Sequence, residues 1–215
     1  MEPASLLTTS AGAPSPLPAS PVDLAAAPGR VLGLVGAPGS GLTRLALTLV
    51  AEHPGPVAVL DVRGWLCPTS AWEAGIDPEN LVVVRCGDRA AWPHVAASLV
   101  EGFAVVYAEV PPHLPDAVLR RLAALTRARR CALILRPVGG DIPSGVLHLR
   151  LESVGVAWEG VEQGHGALTR RRLVLRAGGK GARGVEQVVE MEDDGTHPLR
   201  VVPRLAAAPP GLAAG

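Results

Sequence analysis

The rhythm of apolar and polar positions changes once along this chain, near Arg136. Before it, short β-branched runs alternate with segments whose apolar residues recur at helical spacing. The runs 31–35, 57–60, 81–84, 104–107 and 131–135 are almost continuously apolar, as in strands of a parallel sheet covered on both faces. Helices are predicted between them, over about 42–52, 69–74, 88–100 and 114–128. This alternation defines an open α/β sheet, whose ligands bind at the C-terminal ends of the strands. Beyond Arg136, the segments 146–151, 154–158, 168–175 and 184–192 read as strands joined by Gly-rich turns with no helices between them. That part predicts an antiparallel β extension of the same sheet.

Residues 1–28, rich in Ala, Pro and Ser, carry no apolar period and read as a flexible leader with a short helix expected near Pro21 to Ala27. The folded domain is expected over 29–202. The segment 203–215 cannot form a core and is expected to be disordered, or ordered only by a partner. At 215 residues and 48% hydrophobic content, one sizeable core is the expectation. A formal net charge of zero gives no global field for recruiting nucleic acid or membrane. No apolar run reaches the length of a membrane span and no signal peptide is evident, so a cytoplasmic location is expected. Cys67, Cys86 and Cys131 are widely spaced and read as reduced core residues. The six histidines have no ligand spacing, and no metal site is expected. All but one of the 20 basic side chains are arginines, a skew in keeping with GC-rich coding.

The chemistry-bearing motif is Gly36-Ala37-Pro38-Gly39-Ser40-Gly41-Leu42-Thr43. It keeps the pattern G-x-x-x-x-G-K-[ST] except for the lysine, and lies between a strand and a helix as a phosphate loop does. In a working loop the backbone amides cradle phosphates, the lysine spans the β and γ oxygens, and the hydroxyl binds Mg²⁺. Leu42 supplies no charge, and one lost charge-assisted contact costs about 1.5–3 kcal/mol. Arg44 is the nearest replacement cation, but it projects from a different side of the helix. Gly36, Gly39, Gly41 and Thr43 are therefore candidate nucleotide contacts of a degenerate loop, with neither bound ATP nor any other cofactor expected.

These pieces resemble the RecA recombinase core over about residues 28–195. The resemblance is carried by Pro28-Gly29-Arg30 before the phosphate-loop strand. It is also carried by Val57-Ala58-Val59-Leu60-Asp61, Leu66-Cys67-Pro68 and Gly75-Ile76-Asp77-Pro78-Glu79-Asn80-Leu81. It implies a RecA-like core, a mostly parallel sheet flanked by helices. It also implies a glutamate activating water just after the strand ending near Val84, where this chain has Ala91. A metal-organising Asp is implied at the end of the next strand, where alignment puts Ala108, with Glu109 on the opposite face. Of the two DNA-binding loops of that family, one is reduced to 110–113 and the other to 137–145, the latter short and without a basic residue. A stripped chain of this kind is similar to the ImuA-type accessory proteins of bacterial translesion mutagenesis. That similarity implies as partners an ImuB-like Y-family polymerase homologue and an error-prone C-family polymerase. The reading is a non-catalytic adaptor working through protein contacts. The alternatives are a SulA-like inhibitor of division, and a residual ATP-binding protein or ATPase.

Arg170, Arg171, Arg172, Arg176, Lys180 and Arg183 form a basic stretch. They read either as a solvated hairpin or as phosphate or partner contacts, with DNA binding weak at most. Arg170 and Arg172 share a face of their strand. The cluster Glu190, Glu192, Asp193 and Asp194 reads as turn residues, and Trp65, Trp72 and Trp92 as core or interface anchors.

Overall fold

The computed structural model describes residues 22, 24–143, 145–160, 168–195 and 199–202. Its first part runs β1 (Val31–Val35), α1 (Leu42–Ala51), β2 (Val57–Asp61), α2 (Pro68–Glu73) and β3 (Leu81–Arg85). It continues through α3 (Trp92–Gly102), β4 (Val105–Val110), α4 (Asp116–Arg129) and β5 (Ala132–Pro137). Four strands follow: β6 (Leu149–Glu159), β7 (Arg170–Gly178), β8 (Gln187–Asp193) and β9 (Arg200–Val202). All nine lie in one sheet, ordered β3-β2-β4-β5-β1-β6-β7-β8-β9. Strands β1 to β6 pair in parallel, and β6 to β9 pair antiparallel. The expected mostly parallel α/β sheet with an antiparallel extension is the observed fold.

Strand parity sorts the core into two layers. Leu42, Leu45 and Leu49 of α1 pack with Leu34, Val59, Tyr107, Ile134, Leu173 and Met191. On the other face, Trp92 of α3 and Leu119 and Leu122 of α4 pack with Leu60, Val106, Ala108 and Leu133. Adjacent positions of a strand thus serve opposite layers, as the two-residue period requires.

Several expectations are corrected. The segments 146–151 and 154–158 are not two strands: β6 is one strand that irregular register between Ser153 and Gly155 bends without ending. It joins the sheet beside β1 in parallel, so the antiparallel part begins only at β7. The helix expected from residue 88 starts at Trp92, because the Asp88 carboxylate accepts the amide of Ala90 and forms a turn ahead of it. No described residue near Pro21 to Ala27 is helical, and Val22 and Leu24 are buried in the α1-side core. Strand β9 was not anticipated. The leader up to residue 21 and the tail 203–215 lie outside the described residues. Of the cysteines only Cys131 is a core residue, its thiol pushed up to about 12 by burial, whereas Cys67 is exposed. No helix among the described residues is long and apolar enough to cross a membrane.

Trp92 is fully buried, and its indole N–H donates to the carbonyl of Glu109 at 2.8 Å. Trp92→Ala is expected to lower the unfolding free energy by about 3–5 kcal/mol. Trp65→Ala, at a side chain 73% exposed, should change it by less than about 1 kcal/mol in the same urea titration.

Candidate functional site

The phosphate-loop outline lies where the sequence places it, between β1 and α1 at the C-terminal end of the sheet. Gly39 and Gly41 both adopt φ of 80°, which only glycine takes without strain, and Gly41 is the residue preceding the first turn of α1. Ser40 closes the loop by donating to the carbonyl of Ala37 at 2.6 Å. The side chain standing where the lysine belongs has turned inward: Leu42 is fully buried in the α1-side core. Its Cδ1 lies 3.0 Å from a Cβ built on Gly36, so it packs beneath the loop.

Below the loop is a cleft of about 250 Å³, lined among others by Gly39, Thr43, Asp61, Trp65, Tyr107, Glu109 and Arg136. Three strand ends build it: Asp61 closes β2, Tyr107 and Glu109 lie on β4, and Arg136 lies on β5. The Asp61 carboxylate accepts the amides of Gly64, Trp65 and Leu66 at 2.9–3.3 Å, which holds Trp65 at the mouth. Glu109 accepts the amides of Val62 and Arg63 at 3.1 and 3.3 Å and pairs with the Arg63 guanidinium. That carboxylate hydrogen bond is the chief reason the Arg63 pKa is raised.

Arg136 decides the chemistry of the cleft. Its Nη1 donates to the Thr43 hydroxyl and lies 3.9 Å from a Glu109 carboxylate oxygen. In a working phosphate loop, that hydroxyl and an acid at the neighbouring strand end hold the Mg²⁺. Here a guanidinium of the protein stands between them, with its side chain only 7% exposed. As arranged, the residues do not fit a magnesium ion, which would have to share the place between the Thr43 hydroxyl and Glu109 with the Arg136 guanidinium.

This geometry corrects the placement of Glu109. Ala108 faces α3 and α4, while Glu109 lies on the phosphate-loop face with Tyr107 and Thr43. The alignment that put Ala108 in the metal-organising place was one residue off in parity. Ala91 and Asp88 do not line the cleft, and the Asp88 carboxylate accepts a backbone amide. Sequence reasoning missed Tyr107, Arg63 and Arg136 as site residues. The signal for Tyr107 and Arg136 was positional, polar strand residues with the parity of the loop face, whereas Arg63 lies in the turn after β2. Tyr107 is 1% exposed, and its buried hydroxyl lies beside Arg136 and Thr43. Burial raises its pKa, and the nearby Arg136 opposes that shift.

The basic stretch is not one patch. Arg170 pairs with Glu159 and Glu192 at 3.4 and 3.2 Å, and Arg172 with Glu192 at 3.7 Å. Arg176 pairs with Glu186 at 3.2 Å. Arg171 points to the other face, where it bonds Asp193 at 2.6 Å and stacks on Trp158 at 5.4 Å. It also reaches the phosphate loop: a Cβ on Gly41 would lie 2.6 Å from its Nη1. Lys180 is at the opposite end of the sheet, beside Arg30, Arg127 and His148, and Arg183 follows its short turn with φ of 56°. Glu192 and Asp193, expected in a turn, are strand residues of β8 that pair with these arginines. Arg44 bridges Glu73 at 3.5 Å and Asp193 at 4.0 Å rather than entering the loop.

A mostly parallel sheet with helices on both faces and a phosphate-loop outline after β1 defines a RecA-like α/β domain. Among solved structures the chain is similar in fold to the RadB recombinase, with a TM-score of 0.56 and 18% identity. That match covers 82% of this chain and 92% of the RadB chain. The family model described as the MT3502 N-terminal domain matches residues 23–143, more than half of the chain, and the chain belongs to that family. No curated protein matches it.

Two substitutions check the site. Glu109→Ala leaves Arg63 and two backbone amides without their acceptor and Arg136 without its ion-pair partner, and is expected to cost about 3–5 kcal/mol of stability in denaturant unfolding. Gly41→Ala, strained in φ and pressed on Arg171, should destabilise more than Gly39→Ala, where nothing lies within 4 Å of an added Cβ.

Proposed function

We propose that this chain is a non-catalytic RecA-fold adaptor of a DNA-damage-induced translesion synthesis complex, acting through protein–protein contacts. The observation that carries the non-catalytic part is the Arg136 guanidinium, lodged between the Thr43 hydroxyl and the Glu109 carboxylate. Leu42 in the core adds to it, since the loop offers no lysine to a γ-phosphate. Hydrolysis by this fold needs a cation on the phosphates, an organised metal and a positioned water. The cleft residues favour none of the three, so no cofactor is assigned.

The adaptor role and its setting rest on the resemblance to ImuA-type accessory proteins. The partners are then an ImuB-like Y-family polymerase homologue and an error-prone C-family polymerase, in the cytoplasm. The pairing of Arg170, Arg171, Arg172 and Arg176 with carboxylates argues against a DNA surface, because a paired arginine releases few counterions on meeting a phosphate.

The purified protein is expected to hydrolyse ATP no faster than background. Leu42→Lys alone should not create turnover, since Arg136 remains in the metal position. Multiple turnovers that vanish in Thr43→Ala would overturn the non-catalytic reading. Single-stranded DNA should bind no tighter than about 10⁻⁴ M at physiological salt, measured by fluorescence anisotropy. ATP-dependent filaments on DNA would contradict the assignment.

A further inference from the structure

The end of the sheet opposite the phosphate loop carries a second cavity, of about 310 Å³. Four segments meet there: Gly29 and Arg30 before β1, Arg127 in the last turn of α4, His148 just before β6, and the turn that carries Lys180. Backbone hydrogen bonds fasten them together. The amide of Gly29 donates to the carbonyl of Cys131 at 2.7 Å, that of His148 to Val31 at 2.7 Å, and that of Gly181 to His148 at 2.9 Å. A Cβ on Gly179 would lie 2.8 Å from the His148 carbonyl oxygen, and one on Gly181 would lie 3.2 Å from the His148 ring. The glycines on either side of Lys180 thus press its turn onto His148 and fix where it leaves the backbone.

The charge of this cavity is one-sided. Arg30, Arg127, Lys180 and the His148 ring line it, and no carboxylate is among its described lining residues. The phosphate-loop cleft, by contrast, sets Asp61 and Glu109 against Arg63 and Arg136. Arg127 and Lys180, the one lysine of the chain, are exposed, and among the described residues neither side chain has an ion pair or a hydrogen bond. The same holds for Arg130, whose Cα lies 3.9 Å from a Cβ built on Gly29, and for Arg183 at the end of the Lys180 turn. Elsewhere Arg44, Arg63, Arg150, Arg170 and Arg176 all pair with carboxylates. Unmatched cations side by side repel one another, and an anion between them relieves that repulsion and gains charge-assisted hydrogen bonds. The carbonyl end of α4 brings roughly half a negative charge here, against the full charges of Arg127 and Arg130.

We propose that this mouth is a site for a phosphate group, with Arg127 and Lys180 meeting its oxygens and Arg30 and His148 beside them. The inference goes beyond the adaptor reading and does not depend on it. Cations placed on four segments around one cavity suit a tetrahedral oxyanion, whose oxygens face several directions, better than a planar carboxylate. Because Arg127 and Lys180 are exposed, binding is weak and sensitive to salt. The group arrives either on a free phosphate ester or as a phosphodiester of duplex nucleic acid, since both present the same oxygens. The β7 arginines take no part, being paired with carboxylates.

The test titrates the full-length chain with inorganic phosphate at constant ionic strength, set with chloride, following the phosphorus NMR linewidth and the melting temperature. Wild type is expected to broaden the phosphate signal saturably and to melt higher as phosphate is added. Lys180→Ala and Arg127→Ala should each weaken binding about threefold to tenfold, and the double variant should lose saturation. Lys180→Ala should leave the melting temperature without phosphate unchanged, since its side chain has no partner in the free protein. Arg121→Ala, on the exposed side of α4, should bind as wild type does. Saturation kept in the double variant but lost in Thr43→Ala places the phosphate in the loop and overturns this site. Acetate binding as tightly as phosphate overturns it too, as does equal behaviour of wild type and the double variant. A duplex oligonucleotide separates the two sources. Displacement of phosphate by the duplex, with a salt slope smaller by about two in the double variant, identifies the nucleic-acid backbone. Saturable phosphate binding that the duplex leaves undisturbed identifies a free phosphate ester.

Discussion

The Glu109 carboxylate is the joint on which the loop end of the sheet depends. It sits at the end of β4 and accepts from the backbone of the turn after β2, from Arg63, and within ion-pair distance from Arg136 of β5. A buried carboxylate is tolerated only when cations and amides surround it. Once that condition is met, neighbouring groups lose their freedom. Arg136 lies near Glu109 and is thereby aimed at Thr43. The turn carrying Arg63 is fixed, and with Asp61 it presents Trp65 at the mouth.

The same joint shows how the outline of a phosphate loop stands without its lysine. In a working loop, metal and lysine counter the charge that phosphate brings. Here Arg136 lies within ion-pair distance of Glu109, and Leu42 stands in the core where the lysine would be. The left-handed glycines and the β1–loop–α1 turn remain because the fold itself uses them: Gly41 precedes α1, and Gly36 leaves room for Leu42 and Ser153. Retention of the loop's shape and loss of its lysine are thus compatible within one set of packing constraints.

How much was legible in the sequence follows from the range over which each interaction acts. Apolar runs and helical spacing are local, so β1 to β5 and α1 to α4 fall within a few residues of their expected places. The phosphate-loop glycines and the missing lysine are also local and were read directly. The join of β6 into one bent strand was not, because Val154 at the register shift is set by pairing with β7. The pairing of β7 arginines with Glu192 and Asp193 of β8 is likewise invisible until the register is known. Arg136 was missed because it meets Thr43 across 93 residues of sequence, a contact that only the strand order brings about. The misplacement of Glu109 was an error of parity: one residue along a strand reverses the face.

The central claim is that a guanidinium of the protein occupies the metal position of a phosphate loop. A crystal structure determined at high resolution after growth in millimolar Mg²⁺ and a non-hydrolysable ATP analogue tests it most directly. The account predicts Arg136 within hydrogen-bond distance of the Thr43 oxygen, beside Glu109, with no octahedral metal density between those side chains. A magnesium ion coordinated by Thr43 and bridging to the analogue's phosphates, with Arg136 swung away from Glu109, would contradict it.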